Sequence, residues 1–255
     1  MKINCRYPLL ALFAGLFFSC DTEEISPTIF FVQEMSDPTI YTDLFAYENG
    51  RLVNFNRLFG ERIETSTKFY YSDKQLTRVE IERDQGLEQL IELSYGANGF
   101  RKEEKVTTKQ NGGITEIRVG LFSYSDGRVS SIKYSYEGVD HKPTETVFEW
   151  SNGNITQMDF YVIDDEYTYL ASSKRMSYDA KRNFSNQDIA FVYRVMGGEE
   201  TLISRNNVVG EIEKVGDLIS NTGRYDFTYN DEGYPVGYTK TIGLQAYNPI
   251  QITYR

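Results

Sequence analysis

Three groups of side chains in this sequence could do chemistry, and none is well equipped for it. His141 is the only histidine and lies between Asp140 and Lys142. A Ser-His-Asp triad would have to use it, yet no nucleophile-elbow pattern accompanies it, so it reads as an exposed loop residue. Asp164, Asp165 and Glu166 form the densest carboxylate cluster and could offer oxygens to calcium. The alternating ligand spacing and the glycine of a calcium loop are missing, which makes the cluster a solvated hairpin tip. Paired carboxylates for glycoside hydrolysis could be drawn from any of 37 acids, and that abundance singles out none. No glycine-rich phosphate loop or His-rich metal motif occurs. The chain is therefore expected to be non-catalytic, with no cofactor and no metal; a hydrolase is the weakest reading.

The two cysteines, Cys5 and Cys20, lie close to the start of the chain. Lys2 and Arg6 give a positive start, residues 9–18 form a ten-residue run of apolar and small side chains, and Ser19-Cys20 follows. This is the pattern of a secretory signal peptide over residues 1–19. The run falls short of the roughly 20 residues that a transmembrane helix needs. Phe17-Phe18-Ser19-Cys20 resembles the lipobox of bacterial lipoproteins in the loose form seen in the Bacteroidota. It departs from the usual Leu-Ala-Gly-Cys at two places, and plain signal cleavage nearby is the alternative. The resemblance implies that Cys20 is thioether-linked to diacylglycerol and becomes the new amino terminus. Each buried methylene of such chains contributes about 0.8 kcal/mol, so several acyl chains suffice to hold a protein on a membrane.

With Cys5 removed and Cys20 capped, no thiol is left for catalysis, a metal or an internal disulfide. Removing Lys2 and Arg6 leaves 25 basic against 37 acidic residues, a net charge of −12. That surface repels phosphate backbones, so nucleic acid is not an expected partner. Asp21, Glu23 and Glu24 follow the lipid cysteine directly. Short acidic runs there resemble the signals that carry Bacteroidota lipoproteins to the outer face of the outer membrane; a solvated tether is the plainer reading.

Tyrosine is the one residue type used in excess, with 20 copies against 16 Phe and 1 Trp. Its apolar body and polar tip suit it to stack on a sugar or anchor a protein partner. Most of these tyrosines fall into a pattern that packing alone would select. An aromatic or apolar residue, a spacer, an aromatic, a turn cluster and another apolar residue recur along the chain. Phe45-Ala46-Tyr47-Glu48-Asn49-Gly50-Arg51-Leu52, Phe122-Ser123-Tyr124-Ser125-Asp126-Gly127-Arg128-Val129 and Phe148-Glu149-Trp150-Ser151-Asn152-Gly153-Asn154-Ile155 are clear copies. The second aromatics stand at 47, 71, 95, 124, 150, 178 and 229, a period of about 26 with one double gap. The double gap predicts a degenerate copy around Leu202–Val209 with Ser204 in the aromatic slot, and Tyr254 then begins a ninth copy. Tyr134, Tyr136, Tyr161, Tyr167 and Tyr169 lie outside the anchor slots and are the candidates for ligand contact.

Each copy reads as a β-hairpin. Asn49-Gly50, Asp126-Gly127 and Asn152-Gly153 supply the two positive-φ residues of a type I′ turn. That register places Tyr47 opposite Leu52, Tyr124 opposite Val129 and Trp150 opposite Ile155, pairs worth roughly 0.2–1 kcal/mol each over alanine. Both strand faces carry apolar residues, as in Ile117-Val119-Leu121 and Ile132-Tyr134-Tyr136. Two strands of about nine residues per unit span about 30 Å each at 3.4 Å per residue, and eight units give on the order of 16 strands. No segment after residue 20 shows a capped helical period. The expected fold is all-β: an antiparallel meander, strongly curled or barrel-like, formed by residues 40–255. Residues 20–39 are expected to be the lipidated cysteine, a tether and a lead-in strand.

The Tyr-Ser-Asp-Gly-Arg-Val and Tyr-Asn-Asp-Glu-Gly-Tyr-Pro turns resemble the YD repeats of Rhs-type proteins, although no unit has the full signature. With the lipobox, the pattern over residues 40–255 is similar to a family of Bacteroidota lipoproteins described as porin-like. That resemblance implies a fold and an outer-membrane location, with the membrane reached through the lipid anchor, and no activity. A true pore is disfavoured by charged residues on both strand parities, by the mean hydropathy of −0.47 and by the terminal Arg255, where outer-membrane barrels usually end in an aromatic. The functional expectation is a cell-envelope binding or adhesion module for a glycan or a protein. A periplasmic structural or assembly scaffold is the alternative.

Overall fold

The computed structural model describes residues 31–37, 39–185 and 203–255. The expected signal peptide and lipobox, with Cys20, lie outside the described residues. The compact unit spans Phe31–Arg255. Its strands are β1 (Val32–Asp37), β2 (Tyr41–Glu48), β3 (Arg51–Phe59), β4 (Arg62–Ser72), β5 (Gln75–Arg83), β6 (Leu87–Tyr95), β7 (Arg101–Gln110), β8 (Gly113–Ser125) and β9 (Arg128–Glu137). They continue as β10 (Thr144–Ser151), β11 (Asn154–Ile163), β12 (Thr168–Arg182), β13 (Asn206–Val215), β14 (Leu218–Tyr229), β15 (Pro235–Ile242), β16 (Gln245–Ala246) and β17 (Ile250–Tyr254). A short 3-10 turn spans Asp84–Gly86.

Each strand pairs antiparallel with its sequence neighbour, and β17 bridges β15 to β1, so sixteen strands close into a barrel with the two-residue β16 as an extra. Sequence-adjacent pairing follows from the two-residue turns. Asn152 and Gly153 have φ of 52° and 84°, the mirror-image geometry whose twist matches that of paired strands. Tyr47 opposes Leu52, Tyr124 opposes Val129 and Trp150 opposes Ile155, as the spacing predicts. Directly after each of these partners the register shifts by one residue. Such bulges strengthen local twist, which helps so many strands curl to closure.

The structure corrects two features of the repeat. The interval between Tyr178 and Tyr229 holds one anchored strand pair among the described residues: β12 pairs with β13, and Tyr178 opposes Val208; Leu202, the start of the expected copy, lies outside the described residues. Ser204 does not occupy an aromatic slot. Its Oγ accepts from Ile155 N at 3.0 Å and lies 3.0 Å from Tyr178 OH. Nor does Tyr254 begin a ninth copy. It opposes Val32, so the first and last strands together make the eighth unit. Arg255 extends the seam: its N donates to Phe31 O at 3.0 Å, and its guanidinium lies 5.0 Å from the Tyr47 ring.

The anchors do more than pack. Tyr71 OH donates to Leu52 O at 2.9 Å, Tyr95 OH to Leu76 O at 2.6 Å, Trp150 Nε1 to Val129 O at 2.8 Å and Tyr254 OH to Pro235 O at 2.6 Å; Tyr178 OH donates to Ile155 O. Every acceptor belongs to the residue that opposes the preceding anchor. The bulge interrupts the ladder beside that carbonyl, and the next anchor's polar tip reaches it. Tyrosine, rather than phenylalanine, is selected because it fills the core and satisfies a carbonyl of the neighbouring hairpin with one side chain. Tyr95→Phe is accordingly expected to cost about 1 kcal/mol in urea unfolding at unchanged m. A loss below about 0.3 kcal/mol would show that water serves Leu76 O equally well.

The anchors and their partners lie at one end of the barrel, here the near end. Inward side chains fill it as two clusters, one around Phe45, Leu52, Phe55, Val79 and Ile91 and one around Ile132, Phe148, Ile155 and Met176. The outward face is charged in mid-strand. Lys68 opposes Glu80, Arg78 opposes Glu92, Glu92 opposes Lys105 and Lys133 opposes Glu145. The polarity is apolar within and charged without.

Candidate functional site

Along the inward parity, side chains turn polar toward the far end. On β2 the sequence Tyr47, Phe45 gives way to Asp43 and Tyr41; on β3, Leu52 and Phe55 give way to Arg57; on β5, Leu76, Val79 and Ile81 give way to Arg83. The register aligns these ends into one continuous row across six strands: Asp43, Arg57, Thr65, Arg83, Leu87 and Gln110. A cavity of about 360 Å³ opens over the row, lined also by Glu64 and Asp84.

Asp43 is fully buried and accepts both arms of the Arg57 fork, Nε at 2.7 Å and Nη2 at 2.8 Å. The Arg57 guanidinium sits 4.4 Å over the Tyr41 ring. Burial raises the Tyr41 phenol above its ordinary range, and the Asp43 and Asp37 carboxylates add to the shift while Arg57 opposes it. Arg83 is held differently. Its Nη2 reaches Gln89 Oε1 at only 3.4 Å, its Nε is buried without a partner, and no carboxylate lies within ion-pair distance among the described residues. Burial, and then the repulsion of Arg57, lower its pKa, while Glu64 opposes the shift. Asp84 is turned to Arg62 Nε at 3.3 Å.

Other buried charges have structural partners. Glu104 is fully buried, with Arg101 and Arg118 each at 3.9 Å and their guanidiniums against the Phe122 and Tyr134 rings. Gly120, opposite Glu104, makes room, since a Cβ there would stand 2.7 Å from the Tyr134 ring. Glu211 takes the Tyr225 hydroxyl at 3.1 Å and Lys174 at 3.7 Å.

The tyrosines picked out from the sequence do not form one site. Tyr134 faces inward and packs on the Ile132 cluster. Tyr136 also faces inward, with its OH 3.4 Å from Thr144 Oγ1 and His141 edge-on at 5.4 Å. Tyr161 points outward opposite Glu145 and Leu170. Only Tyr167 and Tyr169 come together, rings 5.7 Å apart, exposed at the far-end tip between β11 and β12. His141 is exposed in the β9–β10 connector. Asp164, Asp165 and Glu166 occupy the β11–β12 tip, where Lys142 pairs with Asp164; that bond raises the lysine and lowers the carboxyl from their ordinary values.

The far-end turns carry exposed apolar side chains, among them Ile40, Phe59, Ile114, Leu218, Ile219 and Leu244. At the near end Asn49-Gly50, Asp126-Gly127 and Asn152-Gly153 make two-residue turns; Asn111-Gly112 makes one at the far end. The row of Asp43, Arg57 and Arg83 has one signal in the sequence: charged residues two places beyond Phe45, Phe55 and Ile81 at the same inward parity.

The fold defines the class: a closed sixteen-stranded antiparallel barrel of the porin-like kind. The chain is similar to a porin-like protein from Bacteroides vulgatus ATCC 8482, with a TM-score of 0.58 and 11% identity over 88% of this chain and 99% of that one. It is similar also to a porin-like protein from Bacteroides uniformis ATCC 8492, with a TM-score of 0.51 and 13% identity over 88% of this chain and 95% of that one. At such identities the likeness is one of fold. No protein-family model matches the sequence, and no curated protein does.

Proposed function

We propose that the chain is a cell-envelope lipoprotein, anchored to the outer membrane through Cys20, whose barrel is a non-catalytic binding module for a glycan or protein ligand. The observation that carries this reading is the difference between the two ends. The near end is filled by aromatic and aliphatic side chains, whereas the far end offers a polar cavity and several exposed apolar side chains at its strand ends and turns. The filled lumen argues against conduction, and the outward charge ladder argues against a lipid-facing wall, which would show an apolar band about 25 Å tall. The first described strand begins at the near end, where Val32 opposes Tyr254.

A glycan array and a pull-down with the chain from residue 21 test the reading; binding to neither would count heavily against it. Protease added to intact cells separates surface display from a periplasmic scaffold, which the apolar far-end turns would also suit as an assembly surface. Degradation supports display, and full protection supports the scaffold. Replacing Cys20 by Ala in a chain without the signal should move the protein wholly into the aqueous phase of a detergent partition. Persistent partition into the detergent would mean that the barrel itself meets lipid.

A further inference from the structure

We propose that the far-end cavity binds a small hydroxylated carboxylate, of the sugar-acid class, through the guanidinium of Arg83. The inference rests on the binding reading above and names the ligand of that site. The row across the cavity floor holds two guanidiniums and one carboxylate, and Asp43 gives both its oxygens to Arg57. Thr65 stands between the two arginines on β4, so their backbones are about 9.6 Å apart at the usual strand spacing. Arg83 keeps a buried Nε without an acceptor and faces the cavity with its charge unmatched. A buried donor left unmade is costly, and a ligand that supplies its acceptor recovers that cost. A guanidinium fork matches a carboxylate in two parallel bonds.

The other charged groups at the cavity narrow the class. Glu64 stands exposed on the bulge of β4, and Asp84 Oδ2 lies 3.3 Å from Arg62 Nε without a hydrogen bond to it. With two acidic side chains beside one cation, repulsion grows with ligand charge, which favours a single carboxylate over a dianionic phosphate. Glu64 and Gln110 can then take hydroxyl groups of the same ligand. About 360 Å³ lies within the range of small-molecule sites, at its lower end, which suits a single sugar ring.

Calorimetry on the native protein purified in detergent, with glucuronate, glucose and inorganic phosphate as probes, tests the inference. Glucuronate should bind, and glucose and phosphate should bind at least about tenfold more weakly, as expected for loss of a charge-assisted pair. Arg83→Gln should weaken glucuronate about tenfold or more. Without ligand the same variant should melt at the same temperature as the native protein or higher, because the charge it removes is buried beside Arg57 without compensation. Arg83→Lys, which keeps the charge but not the fork, serves as the second variant and should fall between the two in affinity. Equal binding of glucuronate to the native and Arg83 variants, or phosphate binding as tight as glucuronate, overturns the inference. If the array shows neutral glycans bound while glucuronate is ignored, the carboxylate assignment falls and the binding function stands.

Discussion

Phe55→Ala should lower the stability of the barrel by about 3–5 kcal/mol, measured by urea unfolding with the m-value held in comparison. Phe55 is fully buried in the lumen, opposite Phe45 on one side and Thr67 on the other, with the Phe45 ring centroid 5.2 Å away. Its removal strips an aromatic ring from the centre of a cluster drawn from both edges of the closing seam, since Met35, Ile250 and Ile252 belong to the same cluster. Closed backbone ladders on every side limit collapse into the space, and the cost of such a deletion grows with the cavity that persists. Phe59, two turns of parity further along β3 and exposed at the far end, is the control; Phe59→Ala should change stability by less than about 0.5 kcal/mol. Near-equal effects of the two substitutions would mean that the lumen is not packed, and the argument against conduction would go with it.

The hairpins were legible in the sequence because everything that specifies them is local. Asn152-Gly153 fixes the turn, the turn fixes the register, and the register sets Trp150 against Ile155. Parity then also places Tyr134 and Tyr136 with Ile132, on the inward face. The seam was not legible. Val32 and Tyr254 pair across nearly the whole chain, and nothing local distinguishes a strand that ends a meander from one that closes a ring. The same limitation applies to the double gap: spacing alone does not show that Tyr178 takes Val208 as its partner. The strand total of sixteen nonetheless holds, because the pair β17 and β1 stands where the supposed copy was counted.

The resemblance to porin-like proteins fixes the architecture but leaves the polarity to the residues of this chain. A membrane barrel directs apolar side chains outward and water inward. Here Phe45, Phe55, Ile91 and Phe148 point inward, while Lys68, Glu80, Glu92 and Lys105 form an outward ladder of alternating sign. Each such cross-strand pair contributes roughly 0.2–1 kcal/mol in water and would be lost against hydrocarbon. Strand count and closure are therefore compatible with opposite solvents, and it is in side-chain parity that the two arrangements differ.

Asp43→Ala should be the more informative of the two large losses, because it unbalances the candidate site as well as the fold. Asp43 is fully buried, and the Arg57 side chain retains only 21% of its exposure, so removing the carboxylate leaves a largely buried guanidinium unpaired. Breaking a buried pair from one side costs about 3–5 kcal/mol, and the residual access of Arg57 to water places the expected loss near about 3 kcal/mol. The double replacement Asp43→Ala with Arg57→Met should recover most of that loss, since it removes the stranded charge along with its partner. The single variant also leaves Arg57 without its carboxylate in the cavity that Arg83 lines, so added glucuronate should raise its melting temperature more than that of the native protein. Equal losses in the single and double variants would show that the pair is not what stabilises this end of the barrel. A single variant that loses stability as expected, yet gains nothing from glucuronate, would separate the two roles: the ion pair would hold the fold, and the cavity above it would not take a carboxylate.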